Sequence, residues 1–122
     1  MKRKNALRLV EYLSHIVEAV ERIQEYIADL KGEQAFYENT LVQDAVIRNL
    51  EVIGEASNNV DKHFPQFVKE HKEVPFIYAY EMRNALAHGY FKVDLPIVWQ
   101  TIQNDLPVLA NSVQDLIDQL NR

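Results

Sequence analysis

The chain has 122 residues, and 48% of them are hydrophobic, which is enough for one domain with its own core and argues against a disordered chain. It contains no cysteine, so disulfides, thiol nucleophiles and cysteine-ligated zinc or iron–sulfur centres are excluded. The net charge of −5 counts against a protein that binds nucleic acid over a broad basic surface, but it is compatible with an enzyme that holds a few phosphates locally.

The sequence has no apolar stretch of the length needed to cross a membrane. Its basic N-terminus leads into an amphipathic segment rather than the apolar core of a signal peptide. No repeat or low-complexity tract divides the chain. We therefore expect residues 1–122 to form a single soluble domain located in the cytoplasm.

Three long stretches place apolar residues at helical spacings, the pattern of helices that bury one face, and in the first and the last of them the spacings alternate between three and four. The first covers residues 9–30, and Gly32 follows as a stop signal. The second extends over about residues 39–60, and the last covers residues 99–120. These stretches predict the main body of a helical protein.

Shorter signals connect and interrupt these helices. Residues 64–71 predict a short helix with a proline in its first turn, and Pro75 opens a further helix that ends near residue 88. Asp94 is a good N-cap for the final helix, in which Pro107 removes one backbone donor and predicts a kink or restart near Asp105. The sequence therefore predicts an all-α, antiparallel bundle of four main helices plus a short helix.

Residues 83–90 read Arg-Asn-Ala-Leu-Ala-His-Gly-Tyr and place a cation, an amide, an imidazole and a phenol at one predicted helix end. Arginine is shaped to grip a phosphate, and histidine can exchange protons near neutral pH. Arg83 and His88 lie about 140° apart on an ideal helix, with a rise of roughly 7.5 Å between them, so they cannot form a tight pair on one face. A second subunit related by a two-fold axis would bring two copies of the motif together.

The helical wheel also predicts which side of this helix is buried. One apolar stripe should face the bundle, and it consists of Phe76, Ala79, Met82 and Leu86. His88 lies nearly opposite Leu86, so it should face solvent or another molecule. A histidine in the last turn of a helix can also simply complement the helix dipole. The spacing of the arginine and the histidine, taken alone, leaves a catalytic and a structural interpretation open.

The string Arg83-Asn84-x-x-Ala87-His88-x-Tyr90, followed by Phe91-x-Val93-Asp94, resembles the signature of the HEPN superfamily. It is most similar to HepT-type toxins of HepT–MntA toxin–antitoxin systems. Residues 43–56 resemble the second helix of that family, and residues 105–107 lie where its last helix often breaks. The resemblance covers nearly the whole chain. It implies a HEPN-like helical bundle that forms a homodimer, with a composite ribonuclease site made by two Arg-x4-His motifs.

The resemblance also implies roles for individual residues. Arg83 and His88 would be catalytic and Asn84 would support them, in an endoribonuclease that cuts RNA without a metal or another cofactor. Tyr90 would receive an AMP group from an MntA-type nucleotidyltransferase antitoxin, as in a type VII-like toxin–antitoxin system. No nucleotidyltransferase motif occurs in this sequence, so the modifying enzyme must be a separate chain.

Two further basic residues are candidates for contacting RNA. Lys92 follows the motif and is expected near its cleft. Arg48 belongs to a charged file with Asp44, Glu51 and Glu55. This file is either a solvated helix face with modest ion pairs or a polar seam that lines the dimer cleft.

The other histidines and the N-terminal basic residues predict solvated surfaces. His15, His63 and His71 have no carboxylate partners at the spacing of a metal-binding bundle, which predicts helix exteriors and no metal site. The basic residues within positions 2–8 are typical of a solvated helix end rather than of an RNA tether.

Two other functions fit parts of this pattern. A non-catalytic helical module could bind a nucleotidyltransferase partner as its adaptor or substrate, and RNA cleavage that depends on Arg83 and His88 would distinguish the two alternatives. A ligand-binding bundle would instead contain an apolar cavity between its helices.

Overall fold

The computed structural model describes residues 3–76, 79 and 94–122. In this part of the chain the elements are α1 (Arg3–Ile27), α2 (Glu33–Tyr37), α3 (Thr40–His63), α4 (Pro65–Glu70), α5 (Leu95–Gln100), a π-helical segment (Thr101–Asp105) and α6 (Leu106–Leu120). Phe76 and Ala79 are also helical and belong to the helix predicted to carry the motif. The described residues contain helices and turns but no strand, which confirms the predicted all-α bundle.

The core lies where α1 packs against α3 and against α6. The apolar stripe predicted for the first helix is buried, and its innermost members are Leu9, Leu13, Ile16, Val20 and Ile23. The facing helices contribute further fully buried side chains, among them Val46, Leu50, Ile53 and Val113. Because burying one such side chain stabilises a fold by about 1.5–3 kcal/mol, this shared core fixes the three helices against one another.

The second long helix begins where the sequence predicts. Asn39 is the N-cap of α3, and its side chain accepts a hydrogen bond from the amide of Val42 at 3.0 Å. The helix continues past the predicted end at Val60 to His63. The following short helix, α4, has Pro65 in its first turn, as predicted.

The last helix is interrupted near the predicted position. Pro107 has no N–H to offer the carbonyl four residues before it, and the chain forms the π-helical segment just ahead of it, before α6 starts at Leu106. The buried hydroxyl of Thr101 donates a hydrogen bond to the carbonyl of Ile97 at 3.0 Å. α5, the π-helical segment and α6 therefore follow one helical path, with a local change of register at the π-helical segment. Because the path is continuous, the spacing of apolar residues along it is also nearly continuous in the sequence.

The short helix α2 is absent from the sequence prediction, which extended the first helix to residue 30. α1 ends at Ile27, and Gly32 comes directly before α2 with a φ of 98°, a conformation that favours glycine. The ring of Phe36 is fully buried, and its centroid lies 5.4 Å from that of Trp99. A helix of five residues is too short to show periodicity, so this tertiary contact holds it in place.

A small apolar cavity lies between helices in the part of the chain that the structure describes. Ile53, Ala79, Thr101 and Leu106 are among the residues around it, and its volume is about 20 Å³. That volume is close to the minimum needed for one water molecule. The cavity is therefore far too small for the ligand-binding bundle considered as an alternative function.

Ser57→Ala is expected to raise the free energy of unfolding by about 1 kcal/mol. The Ser57 hydroxyl is fully buried in α3 and has no hydrogen-bond partner among the residues that the structure describes, and such a group costs roughly 1–3 kcal/mol. Urea denaturation of the two proteins measures the difference. Ser14→Ala, at a half-buried position of α1, is the control for the higher helix propensity of alanine. Equal effects of the two substitutions would contradict the expectation.

Candidate functional site

Most of the predicted site lies outside the described residues. This applies to Arg83, Asn84, His88, Tyr90 and Lys92, and also to the predicted core residues Met82 and Leu86. The structure does show where the chain enters and leaves residues 80–93, which we call the motif segment. It also places Arg48.

The chain enters the motif segment from the core. Phe76 and Ala79 are 1% and 2% exposed, so the described half of the predicted apolar stripe is buried as expected. The ring centroid of Phe76 lies 6.5 Å from that of Phe67 in α4. Ala79 lines the small cavity together with Ile53 of α3 and Leu106 of α6. The entry point is therefore fixed against the middle of α3 and the start of α6.

The turn before this entry point contains a polar contact between two side chains. Nδ1 of His71 lies 3.2 Å from Oε1 of Glu73, and the His71 ring packs against Phe67 with centroids 4.5 Å apart. A hydrogen bond from its own backbone lowers the pKa of Glu73, partial burial opposes this shift, and the neighbouring His71 lowers the pKa further. The predicted exterior position of His71 is only partly correct, because its side chain is 24% exposed.

The chain leaves the motif segment beside α2. Asp94 is the N-cap of α5, as predicted, and its Oδ1 accepts a hydrogen bond from the amide of Ile97 at 3.2 Å. Burial raises the pKa of Tyr37. The Glu33 carboxylate accepts a hydrogen bond from the Tyr37 hydroxyl and raises this pKa further. The negative charge of Asp94 acts in the same direction. Asp94 therefore lies close enough to Tyr37 for their charges to interact.

The two ends of the motif segment lie along α3, one near its start and the other at its middle. The side chain of Gln43 donates hydrogen bonds to the carbonyls of Phe36 and Tyr37, which fixes the exit point near the start of α3. The entry point is at Ile53. Ten residues of α3 separate Gln43 from Ile53, which corresponds to about 15 Å along the helix. The segment that carries the motif is thus anchored at both ends on the part of α3 between Gln43 and Ile53.

Arg48 lies between these two anchor points but on another face of α3. On an ideal helix it is about 140° round from Ile53, so it does not share the face that contacts Ala79. Its side chain is 74% exposed, and Nη1 is 3.6 Å from Oε2 of Glu51, which is too long for a good hydrogen bond. The guanidinium is therefore available to an anion.

The face that carries Arg48 borders a shallow polar groove between α1 and α3. The groove has a volume of about 310 Å³ and is lined by Arg48, Glu51, Glu55, Asn59 and the α1 residue His15, among others. The charged file is thus both a solvated face and one wall of a groove within a single protomer. The sequence pattern gives no signal for Asn59. His15 was predicted on a helix exterior, and it is exposed.

Two general properties complete the description. In the described ranges, no three histidine or acidic side chains come together in a way that could hold a metal ion. No helix described by the structure combines the length and the apolar character that a membrane span requires.

Comparison with known proteins identifies the family. A family model described as ribonuclease HepT-like matches residues 16–116, which include the motif segment and most of the described core. The chain belongs to the HepT-like ribonuclease family. This confirms the resemblance inferred from residues 83–94 and the prediction of an endoribonuclease.

Three individual relatives show how much of this HepT-like chain is shared with known proteins. It is 39% identical to "Probable ribonuclease HepT" of Thermococcus cleftensis, over 87% of this chain and 93% of that protein. It is 33% identical to "Putative RNase" of Caldanaerobacter subterraneus, over 88% of this chain and 93% of that protein. It is 37% identical to "Gamma-glutamylcyclotransferase and putative RNase" of Methanocaldococcus jannaschii, over 91% of this chain and 48% of that protein, so the HepT-like chain spans about half the length of this relative. No solved structure matches the chain.

Proposed function

We propose that this HepT-family chain is a metal-independent ribonuclease toxin that cuts RNA at a composite site in a homodimer. In this proposal residues 1–122 form one cytoplasmic domain. Arg83 and His88 of both subunits are catalytic and Asn84 supports them. The observation that carries the proposal is the family match over residues 16–116, which contains the complete Arg-x4-His motif.

The chemistry of RNA cleavage explains why two subunits are needed. A neutral imidazole removes the proton from a 2′-hydroxyl, whose oxygen then attacks the adjacent phosphorus. A protonated imidazole donates a proton to the departing 5′-oxygen as the P–O bond breaks. One His88 cannot hold both proton states at once, whereas two copies can divide the roles. The products carry a 2′,3′-cyclic phosphate and a 5′-hydroxyl.

The arginine supplies the positive charge that this reaction requires. Negative charge builds up on the phosphorane oxygens, and a guanidinium held beside them stabilises the transition state more than the ground state. Arg83 and His88 are separated by about 140° on an ideal helix, so a partner's motif is the simplest source of the missing group. Lys92 and the weakly paired Arg48 are further candidates for contacting the RNA backbone.

The same proposal includes a switch. Tyr90 lies two residues beyond His88, at the rim of the proposed cleft. A separate MntA-type nucleotidyltransferase would transfer AMP from ATP to its hydroxyl, with loss of the phenol proton and release of pyrophosphate. The product would carry bulk and negative charge beside Arg83. The incoming phosphate would then be blocked by occlusion and repulsion. This chain and the nucleotidyltransferase would together form a type VII-like toxin–antitoxin system.

Cleavage of RNA by the purified chain tests the proposed reaction. Incubation with single-stranded RNA is expected to give fragments with 2′,3′-cyclic phosphate and 5′-hydroxyl ends, which end-specific ligation and mass spectrometry distinguish. Addition of EDTA is expected to change the rate little, because no step uses a metal ion. A strict requirement for Mg²⁺ would contradict the mechanism. A pure, folded protein without any cleavage activity would favour the non-catalytic module that serves a nucleotidyltransferase.

A further inference from the structure

One face of α1 carries both cations and aromatic rings. On an ideal helix the face spans about 80° of arc and about 27 Å of length. Its charged and aromatic members within residues 8–26 are Arg8, Tyr12, His15, Arg22 and Tyr26, and the buried Ala19 lies among them on the same arc. The order contains two copies of Arg-x3-Tyr, fourteen residues apart. Repeated spacing of this kind puts each arginine one turn before a tyrosine on the same side of the helix.

Contacts with α3 show where this face lies. The Tyr12 ring stacks on the His63 ring, with centroids 6.0 Å apart and planes inclined by 19°. His15 lines the polar groove together with Arg48 and Asn59. The face therefore borders the seam between α1 and α3. We call it, together with His63 and Arg48, the α1–α3 strip.

The cations of the strip are accessible. Arg8 and Arg22 are exposed, and neither forms an ion pair with another of the described residues. Arg48 has only a long contact with Glu51. Glu55, the other carboxylate of the groove, takes part in an interaction within the chain. The strip therefore concentrates available positive charge in a protein whose net charge is −5.

The acidic residues of α1 lie mainly away from the strip. On an ideal helix Glu18 and Glu25 are about 80–100° round from its centre, and Glu11 lies at its margin, about 60° away. The basic N-terminal cluster was expected to be a solvated helix end. Because α1 already begins at Arg3, Arg8 lies within the helix and is held in line with the tyrosines.

The paired rings at one end of the strip have the form of a stacking surface. Tyr12 is half-buried and is supported from the side by Phe64, whose ring lies 6.4 Å away at an inclination of 66°. His63 is exposed. A planar nucleobase added to these rings would extend a stack that already exists, and such stacking accepts any base.

From these observations we propose that the α1–α3 strip binds a single-stranded segment of the RNA substrate. This inference rests on the proposed ribonuclease function. A single strand exposes both phosphates and bases, and the strip offers cations to the first and aromatic rings to the second. Paired bases would be hidden inside a helix, so the rings select unpaired RNA. The strip thereby positions the substrate outside the residues that cut it.

Binding of an uncleavable RNA tests the strip separately from catalysis. The probe is a short, end-labelled 2′-O-methyl oligouridylate, which is unpaired and has no 2′-hydroxyl to attack the phosphate. Fluorescence anisotropy is expected to show roughly ten-fold weaker binding to Arg8→Gln/Arg22→Gln. The slope of log K against log salt should become shallower by about 1.4, because each lost phosphate contact with a single strand removes about 0.7. His63→Ala and Tyr26→Leu are expected to weaken binding at least about five-fold without changing the slope.

A charge-matched control decides whether the effect is local. Lys69→Gln/Arg122→Gln removes the same charge at exposed positions outside the strip, and it is expected to change the affinity less than two-fold, about the size of a general charge effect. Equal losses in both double variants would overturn the proposal. The proposal would also be overturned if a strip variant lost dimerisation in analytical ultracentrifugation but kept its RNA affinity. The strip would then be covered by a second copy of the chain.

The outcomes also separate the strip from the proposed function. If the wild type cuts RNA and Arg8→Gln/Arg22→Gln has an unchanged Kd and KM, the strip fails and the ribonuclease stands. If the wild type neither binds nor cuts RNA, both proposals fail. The strip is supported when the double variant raises KM for a cleavable single-stranded RNA and leaves kcat near the wild-type value.

Discussion

Alanine at Arg83 or at His88 is expected to lower the rate of RNA cleavage by at least about 1000-fold. General acid–base groups contribute about 10²–10⁴ to such rates, and removal of one group that stabilises transition-state charge costs about 10²–10³. In the proposed dimer each substitution removes two copies of its side chain. The measurement is the initial rate with a labelled single-stranded RNA, compared at equal protein concentration.

The variants must be shown to fold before this result is interpreted. Circular dichroism and thermal unfolding are expected to match the wild type, because the predicted wheel places His88 away from the core. Asn84→Ala is expected to have a smaller effect, since Asn84 supports the catalytic pair. Full activity in folded Arg83→Ala or His88→Ala protein would contradict the catalytic assignment.

Mixed dimers test whether the two histidines share the work. A dimer with one wild-type and one His88→Ala subunit retains a single imidazole, which cannot act as base and acid in the same turnover. Its activity is expected to be far below half of the wild-type value, because neither half of the dimer is complete. Half of the wild-type activity per dimer would show that each subunit acts alone, and wild-type activity per dimer would refute shared acid–base work.

Co-expression with an MntA-type nucleotidyltransferase is expected to add AMP to Tyr90 and to abolish RNA cleavage. The intact mass should rise by roughly 329 Da for each modified hydroxyl, and fragmentation should place the adduct on Tyr90. The physical reason for the loss is the added bulk and negative charge beside Arg83, where the substrate phosphate must bind.

Matched tyrosine substitutions make this result specific. Tyr90→Phe is expected to cut RNA and to stay active in the presence of the nucleotidyltransferase, because it has no hydroxyl to modify. Tyr26→Phe, at a tyrosine that is 39% exposed, should still be modified and silenced. An adduct on another residue, or full activity of protein modified at Tyr90, would contradict the proposed switch.

The sequence predicted much of the fold because several of its signals are local. Asn39 and Asp94 cap helices through their own side chains and amides three residues later, so the residue type and its position suffice. Pro107 interrupts the last helix because it lacks an N–H, which holds in any tertiary environment. The buried stripe of α1 follows from the period of the helix. The motif at residues 83–90 likewise indicates the family through residue types and spacing alone, and the family match confirms it.

Tertiary structure decided the features that depend on which helices are neighbours. The helix α2 exists because the Phe36 ring meets Trp99, more than sixty residues away in the sequence. The ring of Tyr12 meets His63 only because α1 and α3 pack side by side. Periodicity tells which residues share a face, but it does not tell which helix lies opposite that face.

The same limit applies to the chemistry of the surface. Arg48 was recognised as one member of a charged file, but its place in a groove with His15 follows from the packing of two helices. The stripe of arginines and tyrosines on α1 is visible in the sequence once its spacing is considered. Its significance becomes clear only when α3 supplies the stacked ring of His63 beside it. The chain by itself thus determined the long helices, the motif and the family. The packing of α1 against α3 determined which side chains could bind a ligand together, because side chains from different helices meet only through that packing.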